Sequence, residues 1–237
     1  MLYTVSPELF NRFPGYVRGV VVATHAINLE GPIDEVARML KKTQETLRAR
    51  TDLDGHPNIA AWRTARLASS AFGARHGSRH KYLSSIEAMV KRVLKGGELP
   101  YINTLAALGN MASLKHLVPI GGHDMGMCAE PLWLGFADGT ETFTAFGTTE
   151  VEHPEPGEVV YLSGKTVLCR RWTWRQAEVT KLTRTTTHAA INVDGLPPIT
   201  RADVERICEE LATQVRLFCA AQVECKILAK DSPVLEV

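Results

Sequence analysis

From Tyr16 to Ala26 the chain reads YVRGVVVATHA, a β-branched run that predicts a buried strand, stopped near Gly31-Pro32. The period then changes. Between Ile33 and Arg50 the apolar residues Val36, Met39, Leu40 and Leu47 recur at helical spacing among lysines, arginines and glutamates. Asp34 and Glu35 suit the positive end of a helix dipole, so a surface helix is expected there. Ile59, Trp62, Leu67 and Phe72 predict another helix over Asn58–Phe72, followed by a loop from Gly73 to His80. Ser84-Ser85 with Glu87 opens a helix through Leu94, which Gly96-Gly97 closes. A further helix runs from Asn103 to about His116 and stops before Pro119 and Gly121-Gly122.

Beyond Leu132 the pattern shortens to β-rich runs divided by turn residues: LWLGF, TFTAF, VVYL and TVLCRRW, with Asp138-Gly139 and Ser163-Gly164 between them. TTHAAINV, Thr186 to Val193, predicts one more strand. Thr200 to Ala221 predicts a C-terminal helix capped by Thr200 with Asp203 three residues on. No repeat, low-complexity tract or linker interrupts the chain, so the expected fold class is α+β in one compact unit over residues 1–237. In it a helix-rich N-terminal half packs on an antiparallel, strand-rich small barrel.

Composition narrows the classes. With 237 residues, 45% hydrophobic and 22% charged, the chain can bury a sizeable core. It has no run near the roughly 20 apolar residues of a membrane span, and residues 1–14 lack a leader pattern, so a cytoplasmic protein with no membrane association is expected. The five cysteines include no C-x-x-C pair, which argues against a disulfide framework and a thiolate zinc site. The net charge of +1 offers no whole-molecule attraction for a polyanion, so any nucleic-acid contact must come from a local basic surface.

Several motifs carry possible chemistry. Gly164-Lys165-Thr166 resembles the end of a phosphate-binding loop, but position 159 is valine where that loop needs glycine, and a hairpin turn is the better reading. No G-x-S-x-G or H-E-x-x-H occurs. His76 and His80 with Arg75, Arg79 and Lys81 form a cationic cluster that fits a solvated loop as well as a phosphate contact. The segment Arg170-Arg171-Trp172-Thr173-Trp174-Arg175-Gln176 interleaves guanidiniums with indoles, a composition that stacks on bases and pairs with phosphates. Strand alternation would put Arg170, Trp172, Trp174 and Gln176 on one face. The same composition also fits tryptophans packed under a sheet with arginines along its rim. His123-Asp124 after the Gly-Gly turn, Asn103 at a helix start and His188 in a strand are further candidates. Each also has an ordinary structural explanation as turn, cap or satisfied histidine.

In order along the chain, Ser84-Ser85-Ile86-Glu87-Ala88, Arg92-Val93-Leu94-Lys95-Gly96, Leu99-Pro100-Tyr101-Ile102-Asn103, Asn110, Ser113-Leu114, Pro119, Asp124, Pro156-Gly157-Glu158-Val159-Val160-Tyr161 and Cys169 to Gln176 resemble the pattern of solo B3/B4-domain proteins. Those are relatives of the editing module of the phenylalanyl-tRNA synthetase β subunit. The resemblance lies in a motif-bearing core of about 84–196. It implies an α+β module around a small barrel that acts on aminoacyl-tRNA as an ester hydrolase, without metal or other cofactor, or as a tRNA- or amino-acid-binding module that no longer catalyses. It further implies Asn103, His123 and Thr180 as candidate catalytic residues. Asp124 is implied to hold the substrate ammonium, and Arg171, Trp172, Arg175 and Gln176 to contact the RNA end. The match is imperfect at the histidine. The synthetase imidazole lies three residues before its aspartate, where this chain has Gly121 before Asp124, and His123 is the available ring.

Overall fold

The computed structural model describes residues 1–53, 55–69 and 82–237. The expected helix end at Phe72, the loop from Gly73 to His80 and the cationic cluster around His76 and His80 lie outside them. The described elements are β1 (Leu2–Val5), α1 (Pro7–Arg12), β2 (Val17–Thr24), α2 (Asp34–Arg48), α3 (Pro57–Ser69), α4 (Ser85–Leu94), α5 (Thr104–His116) and β3 (Ile120–Asp124). They continue with β4 (Leu132–Phe136), β5 (Phe143–Thr144), β6 (Val151–Glu152), β7 (Val159–Ser163), β8 (Thr166–Arg170), β9 (Arg175–Gln176), β10 (Ala189–Gly195), α6 (Arg201–Cys219), β11 (Gln222–Leu228) and β12 (Val234–Glu236). Among the described residues no helix is long and apolar enough to cross a membrane.

The class is α+β, but the strands do not close a barrel among the described residues. They form an open six-stranded sheet in the order β12-β1-β4-β7-β8-β9, an open four-stranded sheet in the order β11-β2-β10-β3, and the ribbon β5-β6. Pairing is antiparallel except between β1 and β4.

Alternation along β2 and β10 decides what each face meets. Val17, Val21 and Ala23, with Ala189, Ile191 and Val193, join a core shared with the helices, where Val36, Leu40, Leu105, Leu108, Val204 and Leu211 also lie. Gly19 is required on that face, since a Cβ there would run into Cys208 and Val204 of α6. Val20, Val22 and Ala190 instead pack with Tyr3, Val5, Leu134 and Tyr161 of the six-stranded sheet. Arg18, Asn192 and Asp194 share this inter-sheet face, because Arg18 pairs directly across from Asp194.

Helix ends follow the sequence. Ser84 accepts from Glu87 N, Asn103 caps α5, and Thr200 with Asp203 forms a capping box on α6. Two expectations fail. Gly121-Gly122 is not a turn but part of edge strand β3, where a Cβ on Gly122 would run into the end of the Leu182 side chain. The run from Arg170 to Gln176 is not a continuous strand. Arg171 and Trp172 both take positive φ, 47° and 65°, so the chain turns after Arg170, and the alternation expected across that segment does not apply.

Candidate functional site

A cavity of about 250 Å³ opens between the two sheets. Its inner end is made of buried residues: Arg18 from β2, His123 from β3, Tyr161 from β7, and Asn192 and Asp194 from β10. Its mouth is made of partly exposed ones, including Ser85 of α4, Asn110 of α5, Gly121, Trp174, Arg175 and Gln176.

The inner end is an ion pair wrapped in phenols. Arg18, 2% exposed, donates from Nε to Asp194 Oδ1 at 2.6 Å and from Nη2 to Oδ2 at 2.9 Å. Its Nη1 donates to the Tyr3 hydroxyl. Tyr16 donates to Asp194 Oδ1 at 2.5 Å, and Tyr3 donates to Asn192 Oδ1 at 3.2 Å. Burial works against the charge on Arg18, but Asp194, Tyr16 and Tyr3 together outweigh it and hold the guanidinium well above its ordinary pKa. Burial raises Tyr3 to about 12 and Tyr161 well above the usual phenol range. The Tyr161 hydroxyl is buried beside Tyr3, yet makes no hydrogen bond of acceptable geometry. The sequence reading passed over this group. Its signal was present, because an arginine and an aspartate inside two otherwise apolar strands are stable when buried only if they find each other.

His123 is 4% exposed, lines the cavity, and packs edge-on against Tyr161 with ring centroids 4.9 Å apart. Its Nδ1 shares a 2.8 Å hydrogen bond with Thr180 Oγ1. Burial, reinforced by the charge on Arg18, lowers its pKa to about 3, so the ring is neutral at pH 7. Thr180 is fully buried behind it, and its carbonyl accepts from Asp124 N at 3.0 Å. Gln176 lines the mouth and is anchored through Nε2, which donates to Gly122 O at 2.7 Å and Thr180 O at 3.3 Å. Its Oε1 has no donor among the described residues.

Arg175 also lines the mouth, with its guanidinium 5.8 Å from the Trp174 ring centroid and no ion pair among the described residues. Trp172 touches the cavity but is chiefly core, 3% exposed and surrounded by Phe13, Tyr16 and Trp62 at ring distances of 4.8, 4.9 and 5.0 Å. It is not a surface for stacking a base.

The other candidates lie off the cavity. Asn103 accepts from Ala106 N and donates to Leu182 O, both at 2.9 Å. Asp124 accepts from Gly126 N at 2.9 Å and from Thr186 Oγ1 at 2.6 Å. Arg171 lies 3.6 Å from Glu158 and 3.9 Å over the Tyr82 ring, beside the buried pair Arg170–Glu158. The structure therefore brings His123, Trp172, Arg175 and Gln176 together, with Thr180 behind the histidine. It leaves Asn103, Asp124 and Arg171 in internal hydrogen bonds and ion pairs.

Comparison with known proteins gives a family match and structural matches. The B3/4 domain model matches residues 68–215, more than half of the chain. Among solved structures, an N-terminal fragment of the phenylalanyl-tRNA synthetase β-subunit from Pyrococcus horikoshii aligns over 92% of this chain and 49% of that one, at 12% identity and a TM-score of 0.43. The chain thus spans about half the length of that fragment. No curated protein sequence matches. On the family match, the chain belongs to the B3/4 domain family.

Proposed function

We propose that this protein receives the aminoacylated 3′ end of a tRNA in the inter-sheet cavity and hydrolyses the ester joining amino acid to ribose. The observation that carries this reading is the cavity in a B3/4 chain: sized for one amino-acid side chain, walled by a neutral imidazole, and fitted at its mouth with a guanidinium that has no ion pair among the described residues.

Ester cleavage needs a held water, donors for the developing oxyanion and a seat for the α-ammonium. His123, neutral and tied at Nδ1, can orient a water through its second nitrogen. With a pKa of about 3 it is too weak a base to keep the proton. The water oxygen then bonds to the carbonyl carbon, the bond to the ribose oxygen breaks, and the water's proton passes to that oxygen by way of the vicinal ribose hydroxyl. Gln176 Oε1 is the acceptor for the ammonium, and Arg175 the cation for the terminal phosphate. An activated ester requires no protein nucleophile.

A second reading, recognition without turnover, is favoured by one observation. Asn103 and Asp124 are held by internal bonds away from the cavity, and the Thr180 hydroxyl is taken up by His123. Incubation with a panel of aminoacyl-tRNAs, with and without chelator, separates the two. Release above the spontaneous rate that falls on His123→Ala supports the hydrolase. Affinity without release supports the binding module. Neither affinity nor release across the panel refutes both.

A further inference from the structure

The inner end of the cavity holds more hydrogen-bond donors than the protein itself uses. Arg18 has five N–H groups, of which Nε, one on Nη1 and one on Nη2 are engaged. Two remain. The Tyr3 hydroxyl accepts from Arg18 and so directs its own proton to Asn192 Oδ1, which fixes that amide and leaves Nδ2 without an acceptor among the described residues. Asn192 is 3% exposed, and Tyr161, lining the same cavity, carries a buried hydroxyl without a hydrogen bond of acceptable geometry among the described residues. The acceptors nearby are already occupied, since both oxygens of Asp194 serve Arg18 and Tyr16. Buried donors are rarely left unmatched, and three residues lining one cavity with spare donors point to an absent acceptor.

We propose that the ligand of this cavity seats a carboxylate innermost, against Tyr161, Asn192 and Arg18. If, as proposed above, an aminoacyl end enters, the amino acid belongs to the acidic class, aspartyl or glutamyl. Charge agrees with this. Asp194 offsets Arg18 and His123 is neutral, so Arg175 at the mouth leaves the site positive overall. An asparaginyl or glutaminyl side chain would bring an NH2 against donors, and an aliphatic one would offer them nothing. Sites built around polar groups reject such mismatches far more strongly than they reject a change of size.

Calorimetric titration of the full chain tests this. The probes are amide-linked 3′-aminoacylamino-adenosines carrying aspartyl, glutamyl, asparaginyl, glutaminyl and leucyl groups, together with free L-aspartate and L-glutamate. The acidic adenosine probes should bind about tenfold or more tighter than their amide isosteres, the range of a charge-assisted hydrogen bond. Tyr161→Phe removes a hydroxyl that makes no hydrogen bond of acceptable geometry among the described residues. It should keep the melting temperature while weakening the acidic probes roughly tenfold. A merely structural hydroxyl would lower the melting temperature, and an idle one would change neither. Binding of the free acidic amino acids but of no adenosine probe would uphold the carboxylate seat and refute the aminoacyl-end reading. Equal binding of all adenosine probes would uphold that reading and overturn the acidic class. Absence of any binding, or a Tyr161→Phe variant with unchanged affinity, would overturn the carboxylate seat.

Discussion

Consider the replacement Asp194→Asn. The native carboxylate receives two charge-assisted bonds from Arg18, at 2.6 and 2.9 Å, and one from Tyr16 at 2.5 Å, all out of solvent. Asparagine preserves one acceptor but turns an NH2 toward an arginine N–H, and leaves a guanidinium that is 2% exposed without a counter-charge. Removing one partner of a buried pair costs about 3–5 kcal/mol, a large share of the roughly 5–15 kcal/mol that holds a domain folded. At about 2–4 °C per kcal/mol for a chain of this size, the melting temperature should fall by roughly 6–20 °C. Urea unfolding at pH 7, followed by circular dichroism and tryptophan fluorescence with a shared m-value, measures the loss. The double variant Arg18→Met with Asp194→Leu removes both charges together and should recover most of it. A loss under about 1 kcal/mol for Asp194→Asn, or a double variant as damaged as the sum of the singles, would refute the reasoning.

Three further outcomes are expected. Because His123 is held at about 3 in the folded protein against roughly 6.5 unfolded, only the unfolded chain takes up its proton between those values. Its contribution is therefore intact above pH 6.5 and declines by about 1.4 kcal/mol per unit as pH falls toward 3, and His123→Asn should flatten that slope in urea titrations across the range. Arg175→Ala should weaken tRNA binding and reduce its salt slope by roughly 0.7–0.9 with no change in melting temperature, whereas Arg171→Ala, removed from Glu158 and Tyr82, should lower the melting temperature instead. Filter binding at several salt concentrations, beside thermal melts, distinguishes them. Asn103→Ala forfeits both the α5 cap and the bond to Leu182 and should cost about 1–2 kcal/mol in urea unfolding.

Much of the frame was legible because local chemistry and tertiary demand agreed. Strand β2 and helices α2, α4, α5 and α6 fall where apolar period and caps put them. Where they disagreed, the sequence misled. Bulky residues seldom take positive φ, so nothing local announced the turn at Arg171-Trp172; it is held by packing of Trp172 into the aromatic core and by Glu158 accepting from the Arg171 backbone. Strand β3 hid behind two glycines that read as a turn, although only Gly122 packs closely, against Leu182, and Gly121 is open. Strands β1, β11 and β12 depend on partners far along the chain, as when Leu2 pairs with Glu236, and no local pattern encodes that. At the cavity the reading found His123, Arg175 and Gln176 but missed the floor, since Arg18, Tyr161 and Asp194 come from three separate strands and gain meaning only when those strands are assembled.

The position of β2 sets a limit on modularity. The matched segment, residues 68–215, ends inside α6 and omits β2, the strand that joins β10 to β11 at the middle of the four-stranded sheet. A polypeptide trimmed to that span would leave Asp194 buried with no arginine opposite, and α6 with no Gly19 to rest upon. It should precipitate or remain unfolded rather than yield a minimal version of the domain. For relatives sharing this arrangement, the useful boundary is thus the far edge of the sheet, and any transplant of the module must carry its N-terminal third along with the segment that bears the recognisable pattern.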